Sequence, residues 1–136
     1  MTRTRATEAA GAAAMAAMRH AYAPYSRFRV GAALQAADGT VVSGCNVENA
    51  AFPSGTCAER GALSAAIARG LRDFDLLVVA TEAADPTPPC GMCRQALAEF
   101  APALVVVSVT TGGKEASWVL SDLLPHPFTP ASLAHS

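Results

Sequence analysis

Cys57-Ala58-Glu59 and Pro89-Cys90-Gly91-Met92-Cys93 are the two short pieces whose joint reading decides the fold. Each follows a loop and opens a stretch that reads as a helix. Before the first stands Asn49-Ala50-Ala51-Phe52-Pro53-Ser54-Gly55-Thr56; before the second, a segment with Pro86, Pro88 and Pro89. The helix that starts near Cys57 stops at Gly70, with Leu63 and Ile67 on its core side. The helix over Gly91 to Phe100 carries Met92, Ala96 and Phe100 at intervals of one turn. Between the two helices Leu76 to Thr81 is a continuous apolar run, the pattern of a buried strand, and Leu104 to Val109 forms another.

Outward from this centre, Arg29 to Ala36 and Thr40 to Val47 read as strands joined by a turn at Asp38-Gly39. A helix over Thr4 to Tyr22 precedes them, with Met15, Met18 and Tyr22 on one stripe, and ends before Pro24. Lys114 to Leu120 is a fifth strand after Gly112-Gly113, with short helical turns near Asp122 and after Pro130. The order α-β-β-α-β-α-β-β-α predicts an α/β protein: one three-layer α/β/α domain over residues 1–136, with a mixed five-stranded sheet.

Hydrophobic residues make up 51% and charged residues 15%, enough apolar material for a core. Much of it is alanine, so compactness has to come from close backbone approach or from subunit contacts. The net charge is −1 with no basic stripe, which disfavours a nucleic-acid partner. No stretch approaches the roughly 20 apolar residues of a membrane span. The N-terminal Arg3, Arg5 and alanines resemble a leader, but Glu8 interrupts them, and the reading is a cytoplasmic protein acting on a small molecule. In a reducing compartment four cysteines point to metal binding or catalysis rather than disulfides.

Cys57, Cys90 and Cys93 supply three thiolates and leave one open position, the formula of a catalytic zinc site. Helix N-termini favour the thiolate form. Glu59 stands two residues after Cys57 in the first helical turn, where side chains lean toward the helix start. It is placed to serve beside the metal as general base and then general acid. Three thiolates and Zn²⁺ sum to −1, and Arg60 is positioned to offset that charge through the sulfurs, as is Arg94. Taken alone, Cys90 and Cys93 also suit a redox Cys-x-x-Cys pair; the upstream Cys57 and Glu59 shift the reading to zinc. A closed structural site needs a fourth ligand. Cys45 is available but reads as a small buried residue in mid-strand. His20, His126 and His135 stand in no ligand spacing.

Cys57-Ala58-Glu59-Arg60 with Pro89-Cys90-Gly91-Met92-Cys93-Arg94-Gln95 resembles the small homotetrameric zinc-dependent cytidine deaminases. Ala23-Pro24-Tyr25-Ser26-Arg27-Phe28-Arg29-Val30-Gly31, Gly44-Cys45-Asn46-Val47-Glu48-Asn49-Ala50 and Leu123-Leu124-Pro125 with Phe128 extend the resemblance over about residues 4–133. It implies the cytidine-deaminase fold, one Zn²⁺ per subunit and pyrimidine salvage chemistry. The reaction is hydrolytic deamination of cytidine and deoxycytidine to the uridines, with ammonia released, a zinc-activated hydroxide as nucleophile and Glu59 as proton shuttle. It further implies that Asn46 and Glu48 hold the ribose, Phe28 packs on the pyrimidine, Ala58 offers backbone groups to the base, and Phe52 and Phe128 close the pocket, partly across subunit boundaries. Phe52 stands where a tyrosine is usual, and Thr56 where a bulkier apolar residue is common. A deaminase of modified cytosine nucleosides, N4-substituted or blasticidin S-like, is the alternative.

Overall fold

The computed structural model describes residues 5–134. Six apolar or small residues in a row, Leu76 to Thr81, make Phe74–Thr81 (β3) the central strand, buried on both faces except at Asp75. It pairs antiparallel with β1 (Val30–Ala36) and parallel with β4 (Val105–Thr110). β2 (Val41–Cys45) and β5 (Glu115–Val119) add antiparallel edges, giving the order β2-β1-β3-β4-β5. The expected mixed five-stranded sheet is therefore present.

One face is covered by α1 (Arg5–Met18), whose Ala10, Ala14 and Met18 pack on Ala33, Val78 and Val107. The other is covered by α2 (Ala58–Ala68) and α3 (Gly91–Ala98), where Leu63 and Leu97 meet Leu34, Leu77 and Val106. Two short helices, α4 (Leu120–Leu123) and α5 (Pro130–Leu133), finish the chain. Close backbone approach does hold the layers together. A Cβ on Gly31 would stand 2.0 Å from the Ala14 carbonyl oxygen of α1, and one on Gly44 would stand 2.5 Å from the Ala62 nitrogen of α2. Glycine is required at both positions because the helix backbones occupy the space a side chain would need.

Several expectations need correction. The first helix ends at Met18, not Tyr22, because the chain turns away to bond the next layer: Tyr22 N–H donates to the Asn46 carbonyl and Glu48 N–H to the Tyr22 carbonyl. Tyr22 is consequently 56% exposed and shares no stripe with Met18. Cys45 is half-buried at the last position of β2 rather than buried in mid-strand. The loop before Cys57 contains a 3₁₀ turn, Phe52–Ser54. Thr4 and His135 lie outside the described residues.

Candidate active site

Cys57 and Cys90 are the N-cap residues of α2 and α3, both in extended backbone, and neither uses its side chain to cap the helix. Their sulfurs are thus free to face forward, past the helix starts. Cys57 Sγ lies 3.8 Å from Cys90 Sγ, and Cys90 Sγ lies 3.4 Å from Cys93 Sγ. All three sulfurs fall within 4.8 Å of one another. A disulfide would need about 2.05 Å, so these are thiols. Sulfurs at about 2.3 Å from a tetrahedral zinc ion sit about 3.8 Å apart, and the observed spacing fits that geometry. The donor set is soft, three-fold and open on one side, and it suits one zinc per subunit.

The ionisation of these groups follows their surroundings. Burial pushes the Cys57 thiol up, and the Arg60 guanidinium pulls it back in part. Burial and the nearby Glu59 carboxylate push the Cys93 thiol up strongly. At Cys90 burial also raises the thiol, but the Cys93 backbone and side chain and the Cys57 side chain outweigh it, and the net shift is downward. Of the three thiols only Cys90 is shifted downward. At the other two desolvation is the largest influence, and the expectation that helix starts favour all three thiolates does not hold in the metal-free protein. Glu59, at the second position of α2, is 5% exposed, and burial holds its carboxyl above the usual carboxylate range.

These groups stand at one end of a cavity of about 270 Å³ lined by Phe28, Asn46, Glu48, Cys57, Ala58, Glu59 and Cys90. The structure thus brings Phe28, Asn46, Glu48 and Ala58 to the same space as the sulfurs. Asn46 is doubly engaged: its Oδ1 accepts from Val30 N–H and its Nδ2 donates to the Phe28 carbonyl, both at 2.8 Å. Phe52 and Phe128 do not line the cavity within one chain. Phe52 is 76% exposed in an adjoining hollow, edge-on to Tyr25 at 6.1 Å. Phe128 is tied by its backbone to the Gln95 side chain of α3. Arg94 does not serve the sulfurs either: its guanidinium donates to the Pro89 and Leu123 carbonyls.

Ser26, Val30, Val79, Thr81, Thr87 and Pro88 also line the cavity and were not anticipated. Thr81 ends the apolar run of β3, and a polar residue at the carboxyl end of a buried strand is where α/β sheets place ligands. Thr87 is brought in because its N–H donates to the buried Ser108 hydroxyl of β4 at 2.9 Å, a contact with no local sequence signal.

Comparison with known proteins gives the same picture. Residues 4–109 match the family described as the cytidine and deoxycytidylate deaminase zinc-binding region. The chain is 42% identical over 121 residues to a cytidine deaminase of Sporosarcina psychrophila, covering 88% of this chain and 89% of the relative. It is 45% identical over 117 residues to one of Halalkalibacterium halodurans, covering 85% and 89%. The crystal structure of a cytidine deaminase from Burkholderia pseudomallei superposes with a TM-score of 0.87 at 46% identity, over 93% of this chain and 100% of that one. By sequence and by fold, the chain belongs to the cytidine and deoxycytidylate deaminase family.

Proposed function

We infer that this protein is a zinc-dependent hydrolase that converts cytidine and deoxycytidine to uridine and deoxyuridine with release of ammonia. One observation carries the reading: a buried carboxylic acid, Glu59, stands beside three clustered thiols in a cavity whose remaining walls suit a nucleoside. Cys57, Cys90 and Cys93 would hold the zinc, which when bound supplies the Lewis acidity that makes water a nucleophile near neutral pH. Phe28 packs against the pyrimidine, the Ala58 backbone faces the base, and Asn46 and Glu48 take the ribose hydroxyls. Glu59 accepts the proton released as water adds to C4 and delivers it to N3. It then assists proton transfer to the departing amine; one water is consumed, one ammonia leaves and a C4 carbonyl remains. The sealed setting of Glu59 supports this role, since a raised pKa suits a group that must both take and give a proton near neutrality.

Modified cytosine nucleosides are not favoured as substrates, because relatives 42% and 45% identical over 88% and 85% of the chain are cytidine deaminases. The chain would act as a single domain in the cytoplasm, in pyrimidine salvage. Cytoplasmic placement is supported by the need to keep the three sulfurs reduced; no helix among the described residues is long and apolar enough to cross a membrane. A homotetramer is supported by the exposure of Phe52, Met92 and Phe128, apolar side chains that a neighbouring subunit would cover. The test is to incubate the zinc-loaded protein with cytidine, deoxycytidine, cytosine and CMP while following ultraviolet absorbance and ammonia. Ammonia from the two nucleosides is expected; its absence from both overturns the reading.

A further inference from the structure

The segment Tyr25–Val30 carries Phe28 to the cavity without belonging to any helix or strand until Val30. Two side chains from the stretch after β2 hold it. Asn46 takes the Val30 N–H and the Phe28 carbonyl. Glu48 takes the rest: its Oε1 accepts from the N–H groups of Tyr25 and Ser26, each at 3.0 Å, and its Oε2 accepts from the Ser26 hydroxyl. The Ser26 oxygen in turn accepts the Phe28 N–H at 3.0 Å. Arg27 adopts a left-handed φ of 57° between them, the conformation that turns the Phe28 N–H back onto Ser26. The stretch bearing Glu48 is itself fixed on both sides, by Tyr22 and by Thr56 through Val47.

A carboxylate offers about four acceptor directions. Three at Glu48 are occupied from within the protein, two of them by Ser26. We propose that Ser26 is the positioning residue for Glu48, fixing the carboxylate so that its one remaining acceptor direction meets the ribose 3′-hydroxyl. This rests on the reading of Glu48 as a ribose acceptor. The Ser26 hydroxyl, then the Ser26 N–H, hold the Glu48 carboxyl below the usual range, with burial opposing and the Tyr25 N–H assisting; the group therefore stays an acceptor throughout the neutral range. The same hydroxyl links the orientation of Glu48 to the backbone of Phe28, so that sugar and base recognition share one small hinge point.

The experiment compares deoxycytidine with 2′,3′-dideoxycytidine, which differ only in the 3′-hydroxyl. The wild-type enzyme is expected to prefer deoxycytidine in kcat/KM. Ser26→Ala should reduce that preference about tenfold, mainly through KM, while zinc content and Tm stay near wild type. Ser26→Thr, which keeps the hydroxyl, should restore most of it. Adding Ser26→Ala to Glu48→Gln should reduce the preference no further. If Ser26→Ala lowers kcat/KM for both substrates equally, or for neither, while Glu48→Gln abolishes the preference, Ser26 does not position Glu48. If Glu48→Gln leaves the preference intact, the ribose role of Glu48 fails and the proposal falls with it.

Discussion

The Arg60 guanidinium reaches the Cys57 sulfur, with Nη2 4.0 Å from Sγ. Three thiolates and Zn²⁺ would leave a centre of net charge −1, and a donor on one sulfur withdraws part of that charge. Arg60→Gln should therefore keep one equivalent of zinc but lower kcat about tenfold. A more electron-rich centre makes the activated water less acidic, so the acid limb of the pH–rate profile should move to higher pH. Metal analysis alongside that profile checks both statements; an unmoved limb would count against the role of Arg60.

Glu59→Gln should retain zinc and fold, yet lose about 10²-fold or more in kcat. Its stability signature has a definite sign. Burial raises the carboxyl pKa in the folded protein, so the native state binds its proton more tightly than the unfolded chain does. Metal-free protein should thus lose stability as pH rises from the ordinary value of about 4.3 through the raised one. Glu59→Gln should show a shallower decline over that window. Urea midpoints at several pH values, in the presence of a chelator, measure the difference; parallel slopes would contradict it.

Gly44→Ala tests whether layer spacing governs the site. The added carbon would stand 2.5 Å from the Ala62 nitrogen and 2.7 Å from the Ala58 carbonyl oxygen. Both contacts are backbone of the helix that opens at Cys57 and carries Glu59, so α2 has to lift from β2. A loss of about 2 kcal/mol or more is expected, with weaker zinc retention against a chelator. Unchanged thermal midpoint and zinc retention would mean that the helix shifts without cost.

Zinc uptake should release protons, because burial keeps Cys57 and Cys93 as thiols in the metal-free protein. An indicator dye in weak buffer reads the release directly. Cys90→Ala should bind no stoichiometric zinc and show no turnover. A full equivalent retained in that variant would remove Cys90 from the ligand set.

Much of this was legible in the chain itself, wherever the signal was local. Asp38-Gly39 marks the hairpin, and the apolar run ending at Thr81 marks the central strand. Cys57 and Cys90 each stand one residue before a helix, and that placement brings their sulfurs together. What escaped depends on contacts between distant segments. Tyr22 leaves its helical stripe because its backbone pairs with Asn46 and Glu48. Arg94 turns to the carbonyls of Pro89 and Leu123 rather than to sulfur. Thr87 reaches the cavity through Ser108 on another strand. The burial of Glu59 is likewise a product of packing, since a carboxylate in a first helical turn is ordinarily exposed.

Gly31 has a consequence for anyone who would engineer this protein. Where a side chain on β1 would stand, the backbone of α1 already passes. Filling voids with larger residues, a usual route to thermostability, is closed along this seam. Improvement has to be sought at the periphery, by rigidifying exposed turns such as Thr111 to Lys114. A fold assembled from missing side chains is tolerant at its edges and intolerant at its seams.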